Sequence, residues 1–217
     1  MTDVISFDAE RHIYTVNGEI KPSVTDILSV LTSNHYAQIN ESVLRAAAQR
    51  GTDVHNLCAD IDLGLDEEEY DPVLEPYANA YMQFLFDYNP KWLEIEQIHY
   101  NKQCGYCGTV DRYGIVNGRY AVVDIKTTAS PTRENMLSYC CQTVGYSLFF
   151  PPQVGKRKDD LYERADRYLL FLKKDGKYRI VDCEEYEDKN NWLTAGLFAD
   201  CLKLKREVER SLKKNGK

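Results

Sequence analysis

Residues 108–126 read GTVDRYGIVNGRYAVVDIK, with an apolar-rich run on each side of Asn117-Gly118. An Asn-Gly pair between two such runs is a strong short-range signal for a β-hairpin with a two-residue turn. When both strands are counted back from this turn, Asp111 faces Asp124. Lys126 lies two positions beyond Asp124 and emerges on the same face. The stretch therefore predicts three charged side chains on one face of a β-sheet.

The two opposed carboxylates indicate a cation site. Like charges directly opposite each other are destabilising unless a cation lies between them. Oxygen ligands favour Mg²⁺ or Mn²⁺, and Mg²⁺ typically takes one or two carboxylates together with phosphate oxygens of a substrate. Lys126 could position or deprotonate the attacking water, or neutralise charge on the transition state. On these residues alone, the alternative is that Lys126 and Asp111 form a surface ion pair.

A further carboxylate is expected from the strand before the hairpin, which runs over residues 92–98 towards Cys104-Gly105. A two-residue loop at 104–105 or at 105–106 places Glu94 and Glu96 on the face of Asp111, with Glu96 nearer to it. A three-residue loop would invert this assignment. The alternative for either glutamate is an ordinary exposed position on a strand.

The rest of the chain alternates helical and extended patterns around this hairpin. An N-terminal hairpin is expected around Asn17-Gly18, and a strand over 168–172 pairs through Asp175-Gly176 with residues 178–183. Helices are predicted over 27–31, 41–61 with an interruption at Gly51, 72–88, 134–150 and from about 188 to 214. We predict one α/β domain: a central mixed sheet of about five strands within residues 90–183, flanked by helices, with an N-terminal helical arm.

Composition limits the class of protein. The 217 residues carry a net charge of −7, which argues against a nucleic-acid partner. However, residues 60–75 hold eight acidic side chains and no basic one, whereas residues 203–217 hold seven basic and two acidic ones. This segregation weakens the objection, although a solvated loop and a solvated helix end would give the same pattern. The absence of a leader or a long apolar run predicts a soluble cytoplasmic protein without a membrane partner. Seven scattered cysteines suit reduced thiols.

Several motifs resemble the PD-(D/E)XK nuclease superfamily, specifically its RecB-like and phage exonuclease branch. The branch's elements Gly-Thr-x-Asp, Asp-x-Lys-Thr and Gln-x-x-x-Tyr are met at 108–111, 124–127 and 142–146, and its upstream Gly-x-x-x-His element is met at 51–55. The start, from His12-x-Tyr14 through residues 22–25, is also similar to phage-encoded members. The resemblance spans most of residues 12–182.

This resemblance implies a role for each matching residue. Asp111, Asp124, His55 and the Ile125 carbonyl would be metal ligands, and Lys126 would be the catalytic lysine. Glu96 would help to hold the metal or its waters, while Gln142 and Tyr146 would orient the lysine or touch DNA. A lone helical histidine and a packed i,i+4 pair are the ordinary alternatives for His55 and for Gln142 with Tyr146. Basic side chains are candidates for contacts with the DNA backbone: Arg45, Arg50, Lys156, Lys158, Lys173 and Lys174.

The implied activity is that of an Mg²⁺- or Mn²⁺-dependent DNA exonuclease in recombination or DNA processing. Its partners would be DNA and a single-strand annealing or recombination protein. The chain would also bind further copies of itself if it forms a homo-oligomer. The rival functions are a structure-specific or restriction-like endonuclease and a noncatalytic DNA-binding module on the same fold. We expect no iron–sulfur cluster, because no cysteine trio follows Tyr146. We expect no zinc either, because Cys104 and Cys107 have only the adjacent Cys140 and Cys141 as partners.

Overall fold

The computed structural model describes residues 2–36, 40–65, 71–128, 130–152 and 164–215. The chain begins with a small antiparallel sheet in the order β1-β2-β3, whose strands span Ile5–Asp8, Ile13–Val16 and Glu19–Lys21. Val16 pairs with Glu19 across Asn17-Gly18, which confirms the predicted N-terminal hairpin, and β1 adds a strand to it. The backbone N–H of Cys107 donates to the Pro22 carbonyl, so this sheet is tied to the central one.

Three helices follow: α1 (Val24–Tyr36), α2 (Glu41–Leu63) and α3 (Glu75–Tyr88). The predicted interruption at Gly51 is wrong, because α2 continues through this residue. Glycine costs roughly 1 kcal/mol relative to alanine in a helix, and burial of apolar side chains on the following turns offsets a cost of that size. Those side chains are Val54, Leu57 and Cys58. The helix ends at Gly64, which has a left-handed backbone and caps the last carbonyls.

The central sheet is mixed and has five strands in the order β4-β5-β6-β7-β8. All neighbouring strands are antiparallel except β6 and β7, which are parallel and are joined through helix α4 (Arg133–Ser147). The predicted α/β architecture, with a mixed sheet flanked by helices, is confirmed. The strands span Lys91–Asn101, Tyr106–Val116, Arg119–Lys126, Asp166–Leu172 and Tyr178–Asp182.

The turn geometry of the central hairpin agrees with its sequence. Asn117 and Gly118 have φ of 51° and 77°, so both central residues adopt the left-handed backbone of a type I′ turn. Pairing runs from Val116 with Arg119 to Arg112 with Val123. The loop before β5 is longer than predicted, because Asn101 pairs with Tyr106 and leaves four residues between them. Because the number of loop residues is even, even-numbered residues of β4 still face odd-numbered residues of β5, as predicted.

The C-terminal region contains two helices where one was predicted. Helix α5 spans Cys183–Asn190 and α6 spans Thr194–Asn215. The prediction of a single helix from about residue 188 is wrong, because Asn191 has a left-handed backbone (φ 55°) that ends α5. The apolar residues Phe198, Cys201 and Leu202 of α6 are buried in the core with α1 and α4.

Both faces of the central sheet are covered, and β6 alternates between them. Val122 packs on the side of α1, α4 and α6, whereas Val123 packs on the side of α2 and α3. Asp124 and Lys126 follow the parity of Val122, which directs them towards α4. Within the described part of the chain, no helix has the length and apolarity needed to cross a bilayer.

Candidate metal centre and active site

One cavity of about 340 Å³ brings the predicted site residues together. It lies where β4, β5 and β6 meet α2 and α4. Its lining includes every side chain that the sequence assigned to catalysis or metal binding: His55, Glu96, Asp111, Asp124, Lys126, Gln142 and Tyr146. Residues that are up to 91 positions apart in the chain therefore share one solvent-accessible space.

Asp111 lies at the point where the hairpin ladder ends. The last pair is Arg112 with Val123, one position before Asp111 and Asp124 would meet. Instead, Asp111 Oδ2 accepts a hydrogen bond of 2.7 Å from the backbone N–H of Ile125. Burial raises the pKa of Asp111, while His55 lowers it and Glu96 raises it. Asp111 is only 6% exposed, and Lys126 pairs with Asp124. The alternative interpretation, a surface ion pair between Lys126 and Asp111, is therefore wrong.

Asp124 is the least satisfied polar group of the cavity. Its side chain is 1% exposed, and Oδ1 has no partner among the described residues. The ammonium of Lys126 lies 2.8 Å from Oδ2 and is the partner of this oxygen among the described residues. Burial raises the pKa of Asp124, Lys126 lowers it and Asp111 raises it, with a result of about 6. A buried carboxylate with free lone pairs suits a cation as its partner.

His55 reaches the cavity from α2 and contacts the atoms that were predicted to be its fellow ligands. Its Nδ1 lies 3.2 Å from Glu96 Oε1 and 3.6 Å from Asp111 Oδ1, and its Nε2 lies 3.1 Å from the Ile125 carbonyl oxygen. One ligand atom each from His55, Glu96 and Asp111 fall within 4.8 Å of one another. Burial lowers the pKa of His55, but Asp111 and Glu96 outweigh it and raise the pKa to about 9. The imidazolium thus holds the anionic groups together at neutral pH.

Glu96 reaches the cavity as predicted, but Glu94 does not. Glu96 has φ of 48° and lies between the pairs Gln97–Val110 and Ile95–Arg112. This left-handed backbone at Glu96 breaks the alternation of side chains on which the sequence argument depended. Glu94 instead binds His99, with 2.6 Å between Oε2 and Nε2.

Lys126 is held from the α4 side. Its Nζ donates to Gln142 Oε1 at 3.1 Å, and Gln142 Nε2 donates to the Tyr146 hydroxyl at 2.8 Å. The Tyr139 ring lies under the ammonium, 4.8 Å from Nζ to the ring centroid. Burial lowers the pKa of Lys126, but Asp124 and Asp111 more than compensate and raise it. The lysine is therefore a fixed positive charge, which favours charge stabilisation over proton abstraction.

A buried network behind Glu96 was missed from the sequence. Arg112 is completely buried and donates from Nη1 to Glu96 Oε1 at 3.0 Å and from Nε to Asp62 Oδ2 at 2.6 Å. Asp62 also accepts from the Tyr81 hydroxyl and from Trp92 Nε1. A signal was available, because an arginine in the middle of an apolar strand needs a buried anion. The identity of that anion could not be predicted from the sequence, because Asp62 lies on a helix 50 residues away.

The N-terminal sheet supplies a wall of the cavity that sequence reasoning also missed. Phe7, His12 and Tyr14 line it, and the Tyr14 hydroxyl lies 2.8 Å from Thr109 Oγ1. The neighbouring Gly108 permits close packing, because a Cβ there would lie 3.0 Å from Cε1 of Tyr146. These contacts give the Gly-Thr pair a structural role beside Asp111.

The predicted DNA contacts are not gathered at the catalytic cavity. Arg45 is exposed and pairs with Glu41 at 3.1 Å, whereas Arg50 and Lys174 line a separate cavity. Lys173 is half-buried in the loop after β7. Lys156 and Lys158 lie outside the described residues.

All seven cysteines are free thiols, and Cys140 and Cys141 lie in different apolar clusters.

In comparisons with known proteins, no family model matches this chain, and no curated protein matches it at a significant level.

Proposed function

We propose that this chain is a divalent-metal-dependent nuclease of the PD-(D/E)XK type that hydrolyses phosphodiester bonds in DNA. The observation that carries the proposal is the buried Asp124 carboxylate, whose Oδ1 has no partner among the described residues and whose Oδ2 is paired with Lys126, while Asp111 shares its cavity. Keeping three charged groups out of water is costly unless they serve a ligand.

The residues present fit Mg²⁺ or Mn²⁺. Asp111, Asp124 and the Ile125 carbonyl offer hard oxygen donors, Glu96 adds a partly exposed carboxylate, and His55 adds a nitrogen. A bound cation of this class would act as a Lewis acid on a phosphate oxygen and lower the pKa of a nearby water. The opening of the cavity to solvent leaves room for a phosphodiester beside these ligands.

The chain's own residues would then position and stabilise the reacting phosphate. Lys126 presents a fixed ammonium that can neutralise charge developing on the phosphate oxygens. Gln142 restricts the lysine through its amide oxygen, and Tyr146 fixes the Gln142 amide in turn. Glu96, the most exposed of the three carboxylates that line the cavity, is placed to orient a water molecule.

Assignment to DNA and to an exonuclease depends on the motif resemblance. The resemblance to the phage exonuclease branch implies digestion from DNA ends in recombination or DNA processing. The mixed sheet and the convergence of the motif residues in one cavity are compatible with that branch.

The decisive experiment uses end-labelled linear single- and double-stranded DNA and covalently closed circles, with Mg²⁺, Mn²⁺ or EDTA. Wild-type protein is expected to degrade linear DNA only with metal, and Asp124→Asn and Lys126→Met are expected to abolish degradation. Lys189→Met, which changes an exposed lysine paired with Glu185, is the matched control. Cleavage of circles would indicate an endonuclease. Binding of DNA without any metal-dependent cleavage would indicate the noncatalytic module.

A further inference from the structure

A second cavity, of about 600 Å³, lies on another face of α2 and shares no lining residue with the catalytic cavity. It is bounded by α2, the start of α3 and the loop between β7 and β8. Arg50, Tyr77 and Lys174 line it from these three elements. Residues distant in sequence therefore place two cationic side chains and one hydroxyl around one space.

Two hydrogen-bond donors on residues that line this cavity are buried without an acceptor among the described residues: Arg50 Nε and the Tyr77 hydroxyl. Tyr77 itself is only 1% exposed. A buried polar group without a partner costs roughly 1–3 kcal/mol, so two in one cavity indicate that an acceptor is supplied from outside. Because an arginine can only donate, that acceptor must carry oxygen or nitrogen lone pairs.

The start of α3 adds a positive field to the same cavity. Its N-cap residue Leu74 makes no side-chain capping hydrogen bond, the N–H groups of Tyr77 and Ala78 donate to the Leu74 carbonyl, and Glu75 is an acidic residue in the first turn. The N-terminus of a helix carries a partial positive charge and favours anions. Lys174 is exposed at the rim and adds a full positive charge.

The acidic side chains of the cavity are already engaged. Asp53 Oδ1 accepts from Gln49 Nε2 at 2.8 Å, and Asp71 Oδ1 accepts from the Val73 backbone N–H at 2.9 Å. Each of these bonds engages one carboxylate oxygen locally, whereas the buried atoms without a partner among the described residues of this cavity are Arg50 Nε and the Tyr77 hydroxyl. The unfilled hydrogen-bonding capacity of the cavity is therefore mainly that of donors, which suits an anion with several oxygens.

We propose that Arg50, Tyr77 and Lys174 form a phosphate-binding site. Its occupant is assigned as a backbone phosphate of the nucleic acid whose scissile bond lies in the catalytic cavity, an assignment that rests on the proposed nuclease function. Free inorganic phosphate offers the same chemistry, and the experiment has one arm for each source.

The first arm measures binding of inorganic phosphate in EDTA by thermal melting and ³¹P NMR. Wild-type protein is expected to melt at a higher temperature with phosphate, and Arg50→Gln is expected to bind it roughly tenfold more weakly or worse. Tyr77→Phe removes an unpartnered hydroxyl, so the ligand-free variant should melt no lower than wild type while its phosphate-induced shift becomes smaller. Lys189→Gln is the control and should behave as wild type.

The second arm measures binding of a labelled oligonucleotide by anisotropy in EDTA at several salt concentrations. Arg50→Gln should weaken binding and make the logarithmic salt dependence shallower by about one ion. Loss of phosphate binding with unchanged oligonucleotide binding would assign the site to free phosphate and overturn the nucleic-acid assignment. No change in either arm would overturn the site even if wild-type protein cleaves DNA. Arg50-dependent DNA binding without cleavage would instead refute the proposed function alone.

Discussion

Arg112 donates a hydrogen bond from Nη1 to Glu96 at 3.0 Å, and the guanidinium that makes this bond has no exposed surface. The same guanidinium is anchored by Asp62, which lies seven residues after His55 on α2. The network thus fixes both Glu96 on the edge strand and the helix that brings His55 to it. Groups that orient metal ligands from behind typically affect metal affinity strongly when they are changed.

Arg112→Lys should therefore weaken metal binding. A lysine keeps the charge but cannot bridge Asp62 and Glu96 with a planar fork, so we expect Mn²⁺ affinity to fall by about 10- to 100-fold. Electron paramagnetic resonance of free Mn²⁺ during a titration measures this without any nuclease assay. The control is Arg167→Lys, since Arg167 is buried and binds Glu187 through two bonds of 3.0 Å away from the cavity. Equal Mn²⁺ affinity in both variants would show that Arg112 serves stability alone.

Metal binding should strengthen as pH rises. The pKa of Asp124 is about 6, so below that pH the carboxyl is mostly neutral and a poor ligand. The pKa of His55 is about 9, so at neutral pH its ring must lose a proton before a nitrogen can bind a cation. Protonation of either group competes with metal binding. Mn²⁺ affinity should therefore increase from about pH 5 to about pH 9, and binding should release protons.

Isothermal titration calorimetry in buffers of different ionisation enthalpy measures that proton release. Asp124→Asn should lose the dependence near pH 6 along with much of the affinity. A constant affinity across the whole range would contradict the assignment of Asp124 and His55 as ligands.

Gln142→Leu should separate catalysis from metal binding. Lys126 would lose its amide acceptor, and its ammonium would occupy the correct position for less of the time. We expect kcat to fall by about 10- to 100-fold, while Mn²⁺ affinity stays within about twofold, because Gln142 contacts no metal ligand. Single-turnover cleavage and a parallel Mn²⁺ titration test this. Gln83→Leu, on the exposed side of α3, is the control, and equal losses in both variants would disprove the role.

Gly108→Ala should destabilise the fold at the cavity wall. The added methyl would lie 3.0 Å from Tyr146 Cε1 and 3.2 Å from Val24 Cγ2, so side chains on α4 and α1 must shift. Overpacking of this kind costs about 1–3 kcal/mol in the free energy of unfolding, measured by urea denaturation. Gly196→Ala is matched to it, because nothing lies within 4 Å of the added atom and the site is helical. That control should gain about 0.5–1 kcal/mol. A loss at position 196 and none at position 108 would reverse this interpretation.

The sequence was sufficient where local chemistry decides the structure. Asn117-Gly118 requires two left-handed residues, and this alone set the register that directs Asp124 and Lys126 to one face. Gln142 and Tyr146 follow from i,i+4 spacing once a helix is expected. The mixed sheet likewise follows from a helical segment between two strands.

The predictions failed where the structure depends on a single backbone angle or on a partner that is distant in sequence. Glu96 and Asn191 both adopt left-handed backbones without being glycine, and neither was signalled by its neighbours. The first breaks the alternation between Glu96 and Glu94, which binds His99 and does not line the catalytic cavity, and the second divides the C-terminal helix. The anchoring of Arg112 by Asp62 required knowledge of how α2 packs on the sheet, which depends on tertiary contacts.

Helix α2 contributes Arg50 to one cavity and His55 to the other within a continuous run of hydrogen-bonded turns. The separation of these two side chains along the helix axis is therefore set by helical rise, at roughly 7.5 Å, and not by the conformation of a loop. A ligand that occupies both cavities must therefore span a distance that the rigid helix keeps constant. Polymers with regularly spaced anionic groups would be selected by their spacing as well as by their charge.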